Sequence, residues 1–177
     1  MRITIKTMVD SMKTADRIMS DTPRFERRIN EINTTQPILF GMMQTVINME
    51  DTTKLDTLWA MRLLIICCEA MDRSPFTWDE ITSEDMEKHS KAVLFRLANV
   101  SDLANQGRLD GNTKVSADNP EKHLNSYLVD NFFQWQEEGG PDAPGNHALM
   151  CTLTFVECIG HGSAERRPKK RRRGKNR

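Results

Sequence analysis

The chain has 177 residues, 38% of them hydrophobic and 28% charged, a composition that fits neither a membrane bundle nor a disordered chain. Its net charge of zero hides a division: Met1–Ala164 holds 16 Lys and Arg against 24 Asp and Glu, whereas Glu165–Arg177 holds nine against one. No window approaches a run of about 18 apolar residues, so a transmembrane span is not expected, and MRITIKTMVDSMK lacks the apolar run of a signal peptide.

Four cysteines are too few for a disulfide scaffold. Cys67 and Cys68 are adjacent inside an apolar run, which points to buried thiols in a reducing, cytoplasmic setting.

Residues 1–22 form a polar N-terminal arm whose structure the pattern leaves open. The alternation in RITIKT competes with a helical spacing, and Ile3, Ile5, Met8, Val9 and Met12 are grouped as one apolar edge. A helix starts near Thr22, expected to cap it, with Pro23 in the first turn. Phe25, Ile29 and Ile32 form its apolar stripe, and Arg24, Arg27, Arg28 and Glu31 its wet side. Leu39, Met42, Met43, Val46 and Ile47 then mark a second helix face. Leu58–Met71 is the most apolar stretch, interrupted only by Arg62 and Glu69, and spans about 21 Å as a helix. That length suits the central helix of a bundle.

Ser74 and Pro75 end this helix. Thr77 with Glu80, or Thr82 with Asp85, has the spacing of a capping box opening the next one. Met86, Val93, Leu94, Leu97 and Val100 supply its apolar face, and NQGRLDGNTKVSADN is a polar loop. Another helix opens around Asn119 or Asp118 and Pro120, with Leu124, Tyr127, Leu128, Phe132 and Trp135 on one side. GGPDAPGN connects it to a last apolar helix, HALMCTLTFVECIG, ended by Gly160 and Gly162.

The spacing of Leu39–Ile47 recurs at an offset of 85, and that of Met61–Met71 at an offset of 88. This echo raises the idea of a duplicated αα-hairpin, although helical periodicity alone also generates such matches.

Candidate chemistry is sparse. His147, Cys151, Cys158 and His161 are a zinc-type ligand set, but one helix separates its two pairs by about 10 Å, too far for one metal. A site would need His89 or His123 from another element, and the expectation is therefore no metal and no cofactor. Cys67 and Cys68 lack the CxxC spacing of dithiol exchange. Glu80, Glu84, Asp85 and Glu87 suit a helix start, and Glu84 pairs with Lys88 at i,i+4. Glu69 and Glu157 lie in apolar helices and need partners, with Arg62 or Arg96 the expected ones. Neither a phosphate-binding loop nor a GxSxG elbow is present; Gly139, Gly140 and Gly145 belong to a connector, and GHGS at 160–163 to a helix end. The expected class is non-enzymatic, with no catalytic residue.

The strong local signal is the C-terminus. Arg166, Arg167, Lys169, Lys170, Arg171, Arg172, Arg173, Lys175 and Arg177 crowd into twelve residues without an apolar side chain. Flexible guanidinium and ammonium groups suit phosphates, because contact needs no fixed geometry and releases counterions. Little is present to read base edges, so binding of nucleic acid or ribonucleoprotein would be non-specific. PKKRRR also fits a nuclear-localisation pattern or a weak hold on anionic membrane. The segment Asn48–Ser90, with ten acids against four bases, offers an alternative dock for the tail or a protein partner.

The sequence therefore predicts an all-α fold: a single bundle of about five to seven helices over residues 23–162, followed by a disordered basic tail at 163–177. The function it favours is that of a helical interaction protein with a nucleic-acid-binding arm. The alternative is an adaptor that binds only proteins, or itself.

Overall fold

A computed structural model describes residues 2–48, 54–105, 119–137, 147–162 and 164–166. Among them are seven helices: α1 (Ile5–Met19), α2 (Thr22–Thr35), α3 (Pro37–Ile47), α4 (Lys54–Arg73), α5 (Ser83–Asn105), α6 (Lys122–Glu137) and α7 (His147–His161). Two three-residue strands, β1 (Phe76–Trp78) and β2 (Ala164–Arg166), pair antiparallel with Phe76 opposite Arg166.

The all-α expectation holds, and the central helix is the expected one. Along α4, Leu63, Leu64, Ile65, Ile66, Cys67 and Ala70 are completely buried, so packing surrounds nearly the whole helix. The helices α1, α2, α3 and α6 and the strand β1 all lie against it. The second apolar helix, α7, packs against α3, α5 and α6. Thus α3 and α6 touch both, but α1 and α2 surround α4 where α5 lies on α7. This arrangement gives no support to a duplicated hairpin.

Helix starts follow local hydrogen bonding. Thr4 caps α1 by accepting from the Thr7 N–H, so the stretch left open in the sequence is helical from Ile5. Ile3 is buried, while Ile5 and Val9 are exposed, which corrects the proposed edge: the buried face carries Met8, Ser11 and Ala15. The cap of α2 is Asp21 rather than Thr22; its carboxylate accepts from the Arg24 N–H at 3.1 Å. The reciprocal Thr82–Asp85 pair opens α5, whereas Thr77 lies in β1. On α5, Val93 is buried but Leu94 is half exposed, and His89 occupies a buried position instead. The side chains of Leu97 and Val100 lie outside the described residues.

Gln36, buried at the start of α3, orders the loop after β1. Its Nε2 donates to the Asp79 carbonyl at 3.2 Å, and its Oε1 accepts from the Ile81 N–H at 3.0 Å.

Two hydroxyls oppose this economy. Thr152 and Thr154 are buried on α7, and neither Oγ1 has a hydrogen-bond partner. Exchange for the near-isosteric valine removes that desolvated polar group, so Thr154→Val is expected to stabilise the fold by about 1 kcal/mol. Urea unfolding of the variant checks this.

Candidate functional site

A polar network lies where the C-terminus of α7 meets the chain's first residues. The last turn of a helix leaves carbonyls without internal partners. Here Arg2 supplies donors: Nη1 reaches the Gly162 carbonyl at 2.8 Å, and Nη2 reaches those of Ile159 and Gly160 at 2.9 and 2.5 Å. The same guanidinium lies 4.9 Å from the Trp78 ring centroid, a cation–π contact that joins β1 to the network. The indole Nε1 of Trp78 also donates to the Ile159 carbonyl, at 3.0 Å.

Opposite Arg2 is Glu121, completely buried just before α6. It accepts from Arg2 Nε at 2.9 Å, the Arg2 N–H at 2.9 and 3.0 Å, and the Ile3 N–H at 2.8 Å. Asn119 extends the chain of contacts. Its Oδ1 accepts from the Glu121 N–H at 2.7 Å, and its Nδ2 donates to Glu157 Oε1 at 2.9 Å. A Cβ on Gly160 would come within 2.6 Å of Asn119 Oδ1, so this close approach requires glycine. Gly160→Ala is expected to lower stability by about 1–3 kcal/mol by displacing a doubly bonded buried amide, as a thermal melt would show.

Glu157 leads on to the surface. Its Oε2 lies 3.3 Å from His161 Nε2, and the His161 ring stacks on His89 of α5 with centroids 5.4 Å apart and planes 16° off parallel. Lys88, Ala92 and Phe95 complete the walls of an open cavity of about 510 Å³ around these groups. Burial, then the facing His161, holds the His89 pKa below its ordinary value.

A second, smaller cleft of about 180 Å³ lies between α2, α4 and β1. Arg28, assigned to the wet side from the sequence, is in fact buried there. Its guanidinium meets Glu31 at 2.8 Å, Asp72 at 2.6 Å and Glu69 at 3.0 Å. Burial pulls its pKa down, but the hydrogen bonds to Asp72 and Glu31 outweigh this and raise it. Glu69 therefore has an arginine partner, yet it is Arg28, joined by Arg73 at 3.4 Å, rather than Arg62. Arg62 instead pairs with Asp16 at 3.0 Å and donates to the Tyr127 hydroxyl at 3.1 Å. The side chain of Arg96 lies outside the described residues.

The cysteines are free. Burial pushes the Cys68 and Cys158 thiols up to about 12, and raises Cys67 and Cys151 as well, which suppresses the thiolate required of a nucleophile or ligand. Among the described residues, no three His, Cys, Asp or Glu side chains converge to hold a metal ion. No helix among them is long and apolar enough to cross a membrane.

Of the basic residues singled out at the C-terminus, Arg166 ends β2, and Arg167, Lys169, Lys170, Arg171, Arg172, Arg173, Lys175 and Arg177 lie outside the described residues. Arg2, Glu121 and the burial of Arg28 escaped sequence reasoning. The signal for Glu121 was only that of an acid following Pro120 at a helix start, with nothing to indicate a partner at residue 2.

No protein-family model matches the chain, and no curated protein or solved structure is significantly similar to it. Its function must be argued from its own residues.

Proposed function

We propose that the chain is a non-enzymatic helical interaction protein whose basic C-terminal segment binds nucleic acid or ribonucleoprotein through phosphates, without sequence preference. The observation that carries this reading is the concentration of nine Lys and Arg in Arg166–Arg177 on a body of opposite charge. The fold supports it in one respect. β2, which ends at Arg166, pairs with β1 and so attaches the start of this segment to the body. The cytoplasm belongs to the same proposal.

The test compares the intact chain with one ending at Arg166, which keeps β2 whole, for binding to labelled RNA and duplex DNA. If six phosphates are contacted, the intact chain shows a log–log salt slope of about −5, and the shortened chain loses most of its affinity. Equal binding by both forms would refute the proposal.

A second reading, homotypic or intramolecular pairing of the segment with the acidic body, draws support from the strand register. Arg166 lies opposite Phe76, three residues from the end of α4, within the acid-rich stretch Asn48–Ser90. On this reading, any association of the intact chain seen by size at low ionic strength is lost at about 0.5 M salt, where screening is nearly complete.

A further inference from the structure

Helix α5 packs against α7, and among its described side chains a histidine is buried at this seam. Met86, His89 and Val93 follow one another at helical spacings of three and four, and of these His89 and Val93 are buried. Leu94 and Phe95 are 50% and 71% exposed, Phe95 on the wall of the open cavity beside His89. A titratable ring therefore takes the place where an apolar side chain would ordinarily secure the helix. That ring faces a second titratable ring, His161, across the seam at 5.4 Å.

We propose that the stacked His89–His161 pair makes the α5–α7 contact proton-sensitive: the neutral His89 ring stacks on His161 and holds α5 in place, and a proton on the buried His89 ring weakens that contact. The two positions differ in their surroundings. His161, in the last turn of α7, is 41% exposed and lies 3.3 Å from the Glu157 carboxylate. An imidazolium at His89 would be largely removed from water and would face the His161 ring.

The remaining charges around His89 do not cancel this. From α5 itself, Lys88 opposes a proton and Asp85 favours it; from α7, Glu157 favours it and His161 opposes it. The Asp85 carboxylate is engaged by the N–H and hydroxyl of Thr82 at the helix cap, at 3.0 and 2.7 Å. The neighbouring Cys158 thiol, raised by burial, stays neutral throughout. Burial and His161 prevail, and His89 titrates below its ordinary 6.5. A group whose pKa is depressed by docking is better protonated in the undocked state. The attachment of α5 is therefore fully stable above about pH 6.5 and weakens as pH falls below it. Release of α5 would uncover the small cluster in which Val93 packs with Ala60, Val129 and Leu153.

Amide hydrogen exchange along α5 in the full chain tests this, with rates corrected for the intrinsic pH dependence of exchange. Protection of α5 is expected to fall relative to α4 between about pH 7.5 and about pH 5.5, by more than about twofold and by about tenfold at most, the ceiling for one histidine that takes no proton when docked. His89→Phe, which keeps a ring in the seam but cannot titrate, should hold that ratio constant within about twofold. An unchanged ratio in the wild type would overturn the proposal, as would an equal fall in a folded His89→Phe protein. If His89→Phe does not fold, imidazole resonances of the wild type decide. A His89 titration below its ordinary 6.5 supports the pair, and an unshifted titration of His89 overturns it.

Discussion

Glu121→Ala is expected to destabilise the protein by about 3–5 kcal/mol, because it removes one partner of a buried ion pair and leaves the other. The carboxylate has no exposure to solvent and accepts from two backbone N–H groups and the Arg2 Nε. Without it, the Arg2 guanidinium, 17% exposed, keeps only carbonyls and the Trp78 ring, and the buried Ile3 N–H has lost its acceptor. The loss would spread beyond the pair. Arg2 holds three carbonyls at the end of α7 and lies on Trp78, so the contact joins the N-terminus, α6, α7 and β1. Glu121→Gln keeps one carbonyl acceptor and should lose less, about 1–3 kcal/mol, the worth of the charge on those hydrogen bonds. Urea unfolding of both variants measures the order. A loss under about 1 kcal/mol for Glu121→Ala would mean that the network does not hold these elements together.

That network shows where sequence reasoning stops. The helices α3, α4 and α7 were legible because their apolar residues recur at helical spacing over more than two turns, and their burial follows. α5 was legible as a helix, and Met86 and Val93 do face inward, but Leu94 does not. A charge-free imidazole can fill a core position, so His89 took the place given to Leu94. Arg28 was misplaced for a related reason. It stands four residues before buried Ile32, on the edge of the stripe, where three carboxylates make its burial tolerable. Those carboxylates come from two helices, and only Glu31 lies within reach along α2. The Arg2–Glu121 pair spans 119 positions and follows no local pattern, so only the packed fold brings it together. The ribbon was invisible too, since three-residue strands are too short to show alternation. By contrast, His161 entered a zinc-type set that one helix spreads too far for one metal, and His89, like His123, only as a residue that could complete one of its pairs. The fold does bring them together, but as stacked rings beside a carboxylate.

The Arg28 cluster supplies the second large effect. Arg28→Met is expected to cost about 3 kcal/mol, the low end for breaking a buried ion pair. Two observations set it there. Glu31 and Asp72 have side chains 57% exposed, so water solvates them once the guanidinium is gone, and their pairs contribute little individually. The buried Arg28 Nε also lacks a hydrogen-bond partner, so methionine removes an unsatisfied donor along with the charge. The loss therefore falls on Glu69, whose side chain is only 13% exposed and would retain Arg73 alone, at 3.4 Å. A double-mutant cycle isolates that term. Replacing Glu69 with methionine in the Arg28→Met background should recover about 2 kcal/mol, because two apolar side chains now share the cleft and no uncompensated buried charge remains. Asp72→Asn in the same background should recover less than about 1 kcal/mol. If the two rescues were equal, the destabilisation would reflect the total negative charge around the cleft rather than the burial of Glu69.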